Sequence, residues 1–154
     1  MGIADNLNTE SVERAGPAAP LCVEPQTPVR RVLELLAELG QGAALVCRQG
    51  TLAGIFTERD ALGVLGGGED LDAPVERFMA RDPVTLRPSD TVGAAIARMS
   101  AHGYRRLPIV DAAGRPTGVL DAAGIVHWLV QHFPAAVYNL PPVSNPITRE
   151  REGP

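Results

Sequence analysis

The residues best placed to do chemistry in this chain lie in Gly54-Ile55-Phe56-Thr57-Glu58-Arg59-Asp60. A short apolar run, Gly54 to Phe56, stops at Thr57, and a helix-compatible segment, Glu58 to Leu65, follows. That pattern is a strand running into a helix. The first N–H groups of such a helix lack intrahelical partners and carry partial positive charge, which makes them a seat for a phosphate. Thr57 can cap the helix, and Asp60, one turn on, can offer a carboxylate to a sugar diol. The plainer alternative is an ordinary N-cap with an acidic residue in the first turn, where the helix dipole favours it.

Other chemistry-bearing patterns are sparse. His127 and His132 are five positions apart on one helical segment, so they do not share a face as an i, i+4 ligand pair does. His102 stands alone at a helix end, where a cation is electrostatically welcome. No Ser or Cys sits in a nucleophile elbow, and no acidic cluster resembles a metal cage. The reading is a chain with no catalytic and no metal-ligating residues, and not an enzyme. Trp128, with Ile125, Val126 and Leu129, reads as packing or a subunit contact. Cys22 and Cys47 lie in apolar surroundings without metal-type spacing, which predicts buried structural thiols.

Composition narrows the partners. An apolar fraction of 45% and a mean hydropathy of +0.02 are those of a soluble globular protein. No apolar run approaches the roughly 18 residues of a membrane span, and no basic start followed by an apolar core marks a signal peptide. A cytoplasmic location away from membranes is expected. The net charge of −4 leaves no basic excess to replace counterions along a nucleic-acid backbone. All 14 basic residues are arginine, so any anion site must use guanidinium forks or backbone N–H groups. A lysine Schiff base and a lysine-dependent Walker loop are excluded.

The elements that must position these residues occur twice. Pro25-Gln26-Thr27-Pro28-Val29 falls on Pro88-Ser89-Asp90-Thr91-Val92 at an offset of 63 residues, which also superposes Val32-Leu33 on Ala95-Ile96 and Gly40 on Gly103. One inserted residue later, at an offset of 64, Gly50 falls on Gly114 and Gly54-Ile55 on Gly118-Val119. Each unit opens with a β-like piece (Leu21-Cys22-Val23, then Val84-Thr85-Leu86). A helix follows, apolar at i, i+3, i+4 and i+7 and closed by glycine; an apolar strand, a glycine turn, a third strand and a second helix complete the unit. The predicted fold is α/β (α+β): two β-α-β-β-α repeats, 21–65 and 81–132, packed with pseudo-twofold symmetry because neither alone can bury a core. Residues 66–80 form the linker, and 1–20 are read as a polar tail that trails or lies loosely. Residues 133–154 form a proline-rich arm, either disordered throughout or ordered around Val137-Tyr138-Asn139-Leu140.

With these repeats, three segments carry a resemblance: Gly54 to Asp60, Met79-Ala80-Arg81-Asp82-Pro83-Val84-Thr85, and His102-Gly103-Tyr104-Arg105-Arg106-Leu107-Pro108-Ile109-Val110-Asp111. Together they resemble tandem cystathionine β-synthase (CBS) domains, the pairing called a Bateman module. The end from His132-Phe133-Pro134 to Asn139-Leu140-Pro141-Pro142 is similar to stand-alone bacterial members. The resemblance implies an adenosine-containing ligand (AMP, ADP, ATP or S-adenosylmethionine) in the cleft between the repeats, with no cofactor otherwise required. It assigns the ribose hydroxyls to Asp60, the neighbourhood of the phosphate to Thr57, and the partner repeat's cations to Arg105 and Arg106. Flat apolar walls for an adenine are available from Ile55, Val84 and Pro108. Arg59 either contacts a phosphate or faces solvent, and strand alternation suggests that only one of Arg105 and Arg106 enters the cleft.

The internal alignment separates the two clefts. Asp121 stands where the first repeat has Thr57, Gly124 where it has Asp60, and Gly42 and Ala43 where the second repeat has Arg105 and Arg106. One competent nucleotide site per chain is expected. The resemblance further implies a regulatory, energy-sensing role, a homodimer formed through helices, and an unknown regulated protein as partner. Ala61-Leu62-Gly63-Val64-Leu65 and Ile125-Val126-His127-Trp128-Leu129 are either contact faces or parts of the core. The alternative function is a dimerising interaction scaffold with a vestigial nucleotide site.

Overall fold

A computed structural model describes residues 7–132. The proline-rich arm and its Val137–Leu140 segment lie outside the described residues. In the first repeat, β1 (Cys22–Val23) precedes α1 (Val29–Leu39), which buries Val29, Val32 and Leu36 and closes on Gly40 at φ 62°. Strand β2 (Ala43–Arg48) runs parallel to β1 and antiparallel to β3 (Thr51–Thr57), and α2 (Glu58–Gly66) follows directly. Residues 43 to 47 of β2 are all buried, because this strand is covered on both faces. The hairpin turn sets both Gln49 (φ 52°) and Gly50 (φ 82°) in the left-handed region, the geometry that matches strand twist in two-residue turns.

The second repeat has α3 (Val92–His102), β5 (Arg106–Val110), β6 (Pro116–Asp121) and α4 (Ala122–His132), numbered after β4 (Ala80–Arg81) of the connection. Its opening strand is reduced to one residue: Leu86 bridges in parallel to Ile109, donating to Pro108 O and accepting from Val110 N–H at 2.8 Å each. The β-α-β-β-α order is otherwise the one the repeat predicts.

The connecting segments depart from expectation. Residues 66–80 are more than a linker. Val75 is fully buried in the first repeat's core, and β4 adds an antiparallel edge to β3. The amino-terminal segment, read as loose, is built into the second repeat: Val12 is fully buried and Ala15 nearly so, among α3, α4, β5 and β6. The two segments are copies of each other. Val12-Glu13-Arg14 and Val75-Glu76-Arg77 lie at the same 63-residue offset as the helices, and each forms a 3-10 turn. Their bonds repeat as well. Val75 donates to Thr27 O and Val12 to Asp90 O, while Val29 donates to Ala73 O and Val92 to Glu10 O. Each connector therefore packs on the unit it does not lead into. A polar average over 1–20 concealed two buried apolar positions, and the Val-Glu-Arg identity at the 63-residue offset was a signal that could have located them.

This crossing explains a repeated glycine. A Cβ on Gly54 would meet Met79 and lie 2.8 Å from Ala80 O, and a Cβ on Gly118 would lie 3.2 Å from Pro17 Cβ. Each marks where a connector crosses a strand, too closely for a side chain at Gly54 and with a tight fit at Gly118. Between the sheets, Ala43, Leu45, Cys47 and Ile55 of the first repeat pack on Val119 of the second, so the two half-cores join. Cys47 is buried as predicted. Cys22 is exposed, because the short edge strand β1 leaves its outward side chain uncovered.

Candidate functional site

The end of β3 and the start of α2 form one wall of a cavity of about 730 Å³, and the second repeat forms the other. That volume lies within the roughly 300–1,000 Å³ typical of small-molecule sites. All eight residues singled out from the sequence line it: Ile55, Thr57, Arg59, Asp60, Val84, Arg105, Arg106 and Pro108. Long-range pairing brings them together, since Arg106 opens β5 while Thr57 ends β3.

Thr57 is the N-cap of α2, with extended backbone at φ −111°. Asp60 Oδ2 reaches back to accept from the Thr57 N–H at 2.9 Å and from its hydroxyl at 3.2 Å. This is the reciprocal half of a capping box, and it fixes the carboxylate at the cavity wall. A carboxylate has about four acceptor directions, so capping leaves acceptor capacity for a further donor. The capping and ligand-holding readings of Asp60 are thus compatible in geometry.

Arg105 immediately precedes β5, and its carbonyl accepts from Ala122 N–H in register with the Arg106–Asp121 pair. Both arginines line the cavity. Arg106 donates from Nη2 to Glu58 Oε1 at 2.9 Å; its side chain is 28% exposed against 66% for Glu58, so the guanidinium is the anchored member.

Reading the sequence for a site did not single out Glu58, Ala80, Arg81, Asp82, Pro83, Gly103 or Tyr104, which also line the cavity. Ala80 and Arg81 arrive through β4, whose pairing is set in the tertiary structure. Asp82 holds φ 48°, a left-handed conformation that Asp tolerates better than most residues, and Pro83 follows it into the cavity wall. The signal available was the Arg81-Asp82-Pro83 run just after the linker. With Arg59, Arg81, Arg105 and Arg106 against Glu58, Asp60 and Asp82, the lining mixes both signs and carries one more cation than anions. It suits a ligand that has an anionic end and hydroxyl donors.

The quasi-equivalent junction at β6 and α4 is furnished differently. Strand register pairs Ala43 with Thr57 and Arg106 with Asp121, which makes Ala43 the counterpart of Arg106. Asp121 Oδ1 accepts from Gly124 N–H at 2.5 Å, so the carboxylate there caps its own helix. Gln41 donates to Ala19 O at 3.4 Å across the positions equivalent to Tyr104 and Asp82. At this junction the counterparts of Glu58, Arg59, Asp60 and Arg106 are Ala122, Ala123, Gly124 and Ala43, none of them ionisable.

Away from the cleft, the helix segments divide between the two readings left open. Ala61, Val64, Ile125 and Trp128 are buried in the cores, whereas Leu62 (71% exposed), Leu65 and Val126 face outward. Trp128 tilts against His132, with ring centroids 5.2 Å apart. Burial, then the neighbouring Cys22, pushes the Cys47 thiol up to about 12, so it stays protonated and unreactive. Among the described residues no group of three or more His, Cys, Asp or Glu is arranged to hold a metal ion. No helix among them is long and apolar enough to cross a membrane.

Comparison with known proteins defines the class. The CBS domain model matches residues 18–67 and again 75–131, and the chain belongs to the CBS-domain family. It is 36% identical over 90 residues to the CBS domain-containing protein YhcV of Bacillus subtilis, covering 58% of this chain and 64% of that one. The chain spans 25% and 66% of two further curated relatives, from Methanocaldococcus jannaschii and Acidianus ambivalens. Among solved structures, CBSX2 in complex with AMP is similar at TM-score 0.71 and 26% identity, over 79% of this chain and 97% of that one. The CBS domain protein PAE2072 from Pyrobaculum aerophilum, complexed with AMP, shares the fold at TM-score 0.72 and 22% identity, over 84% and 97%.

Proposed function

We propose that this chain is a regulatory module that binds an adenosine-containing ligand, AMP, ADP, ATP or S-adenosylmethionine, at one site per chain. The observation that carries the reading is the cavity holding Thr57, Asp60, Arg105 and Arg106 together, with Ile55, Val84 and Pro108 as apolar wall. In this reading Asp60 accepts from the ribose diol, the guanidiniums and the start of α2 receive the phosphate, and the apolar residues flank the adenine. A CBS pair bound to AMP among the similar structures supports the ligand class. The absence of ionisable groups at Ala122, Ala123, Gly124 and Ala43 supports a single site. The module acts by binding and without catalysis. Its output is a change of shape or association passed to a regulated protein, which requires the ligand to favour one conformation.

Leu62 and Val126 occupy matching positions in α2 and α4 at the 64-residue offset, and both are more than half exposed. Such a doubled apolar face supports a homodimer formed through these helices. The test is thermal unfolding of the purified chain with AMP, ADP, ATP and S-adenosylmethionine, followed by calorimetry. A ligand that binds only the folded state raises the midpoint, and a stoichiometry near one per chain is expected. An unchanged midpoint across the panel together with flat titrations refutes the sensor.

A further inference from the structure

The ion pair between Glu58 and Arg106 joins the two repeats at the cavity wall, with Oε1 accepting from Nη2 at 2.9 Å. A carboxylate on a guanidinium fork is the same kind of partner as a phosphate, so the two compete for one set of donors. Resting on the reading that the cleft takes an adenosine phosphate, we propose that Glu58 is a built-in competitor of the ligand's phosphate. It neutralises Arg106 in the empty cleft and must release it when a phosphate arrives, and so sets the preference between phosphorylated and unphosphorylated adenosine.

Three observations carry this. The two members are unequally exposed: the Arg106 side chain is 28% exposed and that of Glu58 66%, so the carboxylate has open solvent to turn into and the guanidinium is the more enclosed. The backbone leaves room for the pair, because a Cβ on Gly42 would overlap Glu58 Oε1 and the Arg106 guanidinium. At the other junction the counterparts are Ala122 and Ala43, so both members of the pair are absent there. A released Glu58 remains tethered at the first turn of α2, where its charge opposes each added phosphate charge. The penalty therefore grows from AMP to ATP and is absent for adenosine.

The test is calorimetry of the full chain and of Glu58→Gln, Arg106→Gln and the double variant with adenosine, AMP and ATP, with thermal melts to verify folding. Glu58→Gln is expected to bind AMP about threefold tighter, and ATP with a larger gain, because it loses a partly exposed ion pair worth up to about fivefold. Its affinity for adenosine stays unchanged, and the gain vanishes in the Arg106→Gln background. Glu58→Asp keeps the helix-start charge but withdraws the carboxylate by one methylene, and it gains in the same direction by less. AMP binding equal to or weaker than wild type in Glu58→Gln overturns the proposal, as does an equal gain for adenosine or a gain that survives Arg106→Gln. Failure of the wild type and all variants to bind any of the three compounds overturns the nucleotide reading itself, and this proposal with it.

Discussion

The two repeats are built on one frame and furnished for different ends. In both, a connector from elsewhere in the chain seats a fully buried valine, Val75 or Val12, and crosses a strand at a glycine, Gly54 or Gly118. In both, an acidic side chain caps the last helix, Asp60 onto Thr57 and Asp121 onto Gly124. The capping, however, leaves different things behind. In the first repeat the carboxylate sits one turn into the helix, beside Arg106 and Arg105 in a cavity. In the second it sits at the strand end, and the position one turn on is glycine. The same secondary structure thus satisfies its helix start in two ways, and only the first leaves a carboxylate in a cavity that arginines also line.

The largest test is aimed at the shared frame. Val12→Asp and Val75→Asp each place an unpaired charge in a fully buried site, and each is expected to cost about 4 kcal/mol or more in chemical denaturation. A mild effect for Val12→Asp beside a severe one for Val75→Asp would break the equivalence of the connectors. The difference in furnishing comes next. Asp60→Ala and Arg106→Ala are expected to weaken AMP binding by about 1.5–3 kcal/mol, tenfold to hundredfold, in calorimetric titration. Gly124→Ala, at the position matching Asp60, leaves that affinity unchanged; a loss there would mean that the second junction also takes ligand.

The smallest effect concerns acid. Burial pushes the Asp90 carboxyl up, but the Arg87 N–H and the Arg98 guanidinium it accepts from, at 2.8 and 2.9 Å, outweigh that and hold it below its ordinary value. A depressed carboxyl contributes stability that is complete above the unfolded value, near 4, and is lost as pH falls through the folded value. Its counterpart in the first repeat is Thr27, which carries no charge. Stability of the wild type should therefore fall more steeply below about pH 4 than that of Asp90→Asn, measured by urea midpoints across pH. Parallel curves would remove Asp90 as a source of the difference.

Local pattern made much of this legible. The 3.6-residue spacing of Val29, Val32 and Leu36 sets the buried face of α1, and the glycine closures follow from the left-handed φ they supply. The strand-to-helix step at Thr57 was visible because the apolar run ends there and a capping pair begins. Asp60 and the arginines could be singled out by chemical type, and the repeat supplied the contrast with Gly124 and Ala43. What stayed hidden was set by contacts between segments far apart in the chain. Composition averaged over residues 1–20 says nothing about which core Val12 enters, since that depends on where a connector crosses. Glu58 becomes a partner of Arg106 only when the two repeats meet. Residue types and spacing therefore determined the frame and the candidate chemistry. The tertiary structure alone decided which charges face one another, because only packing brings groups 48 positions apart to within hydrogen-bond reach.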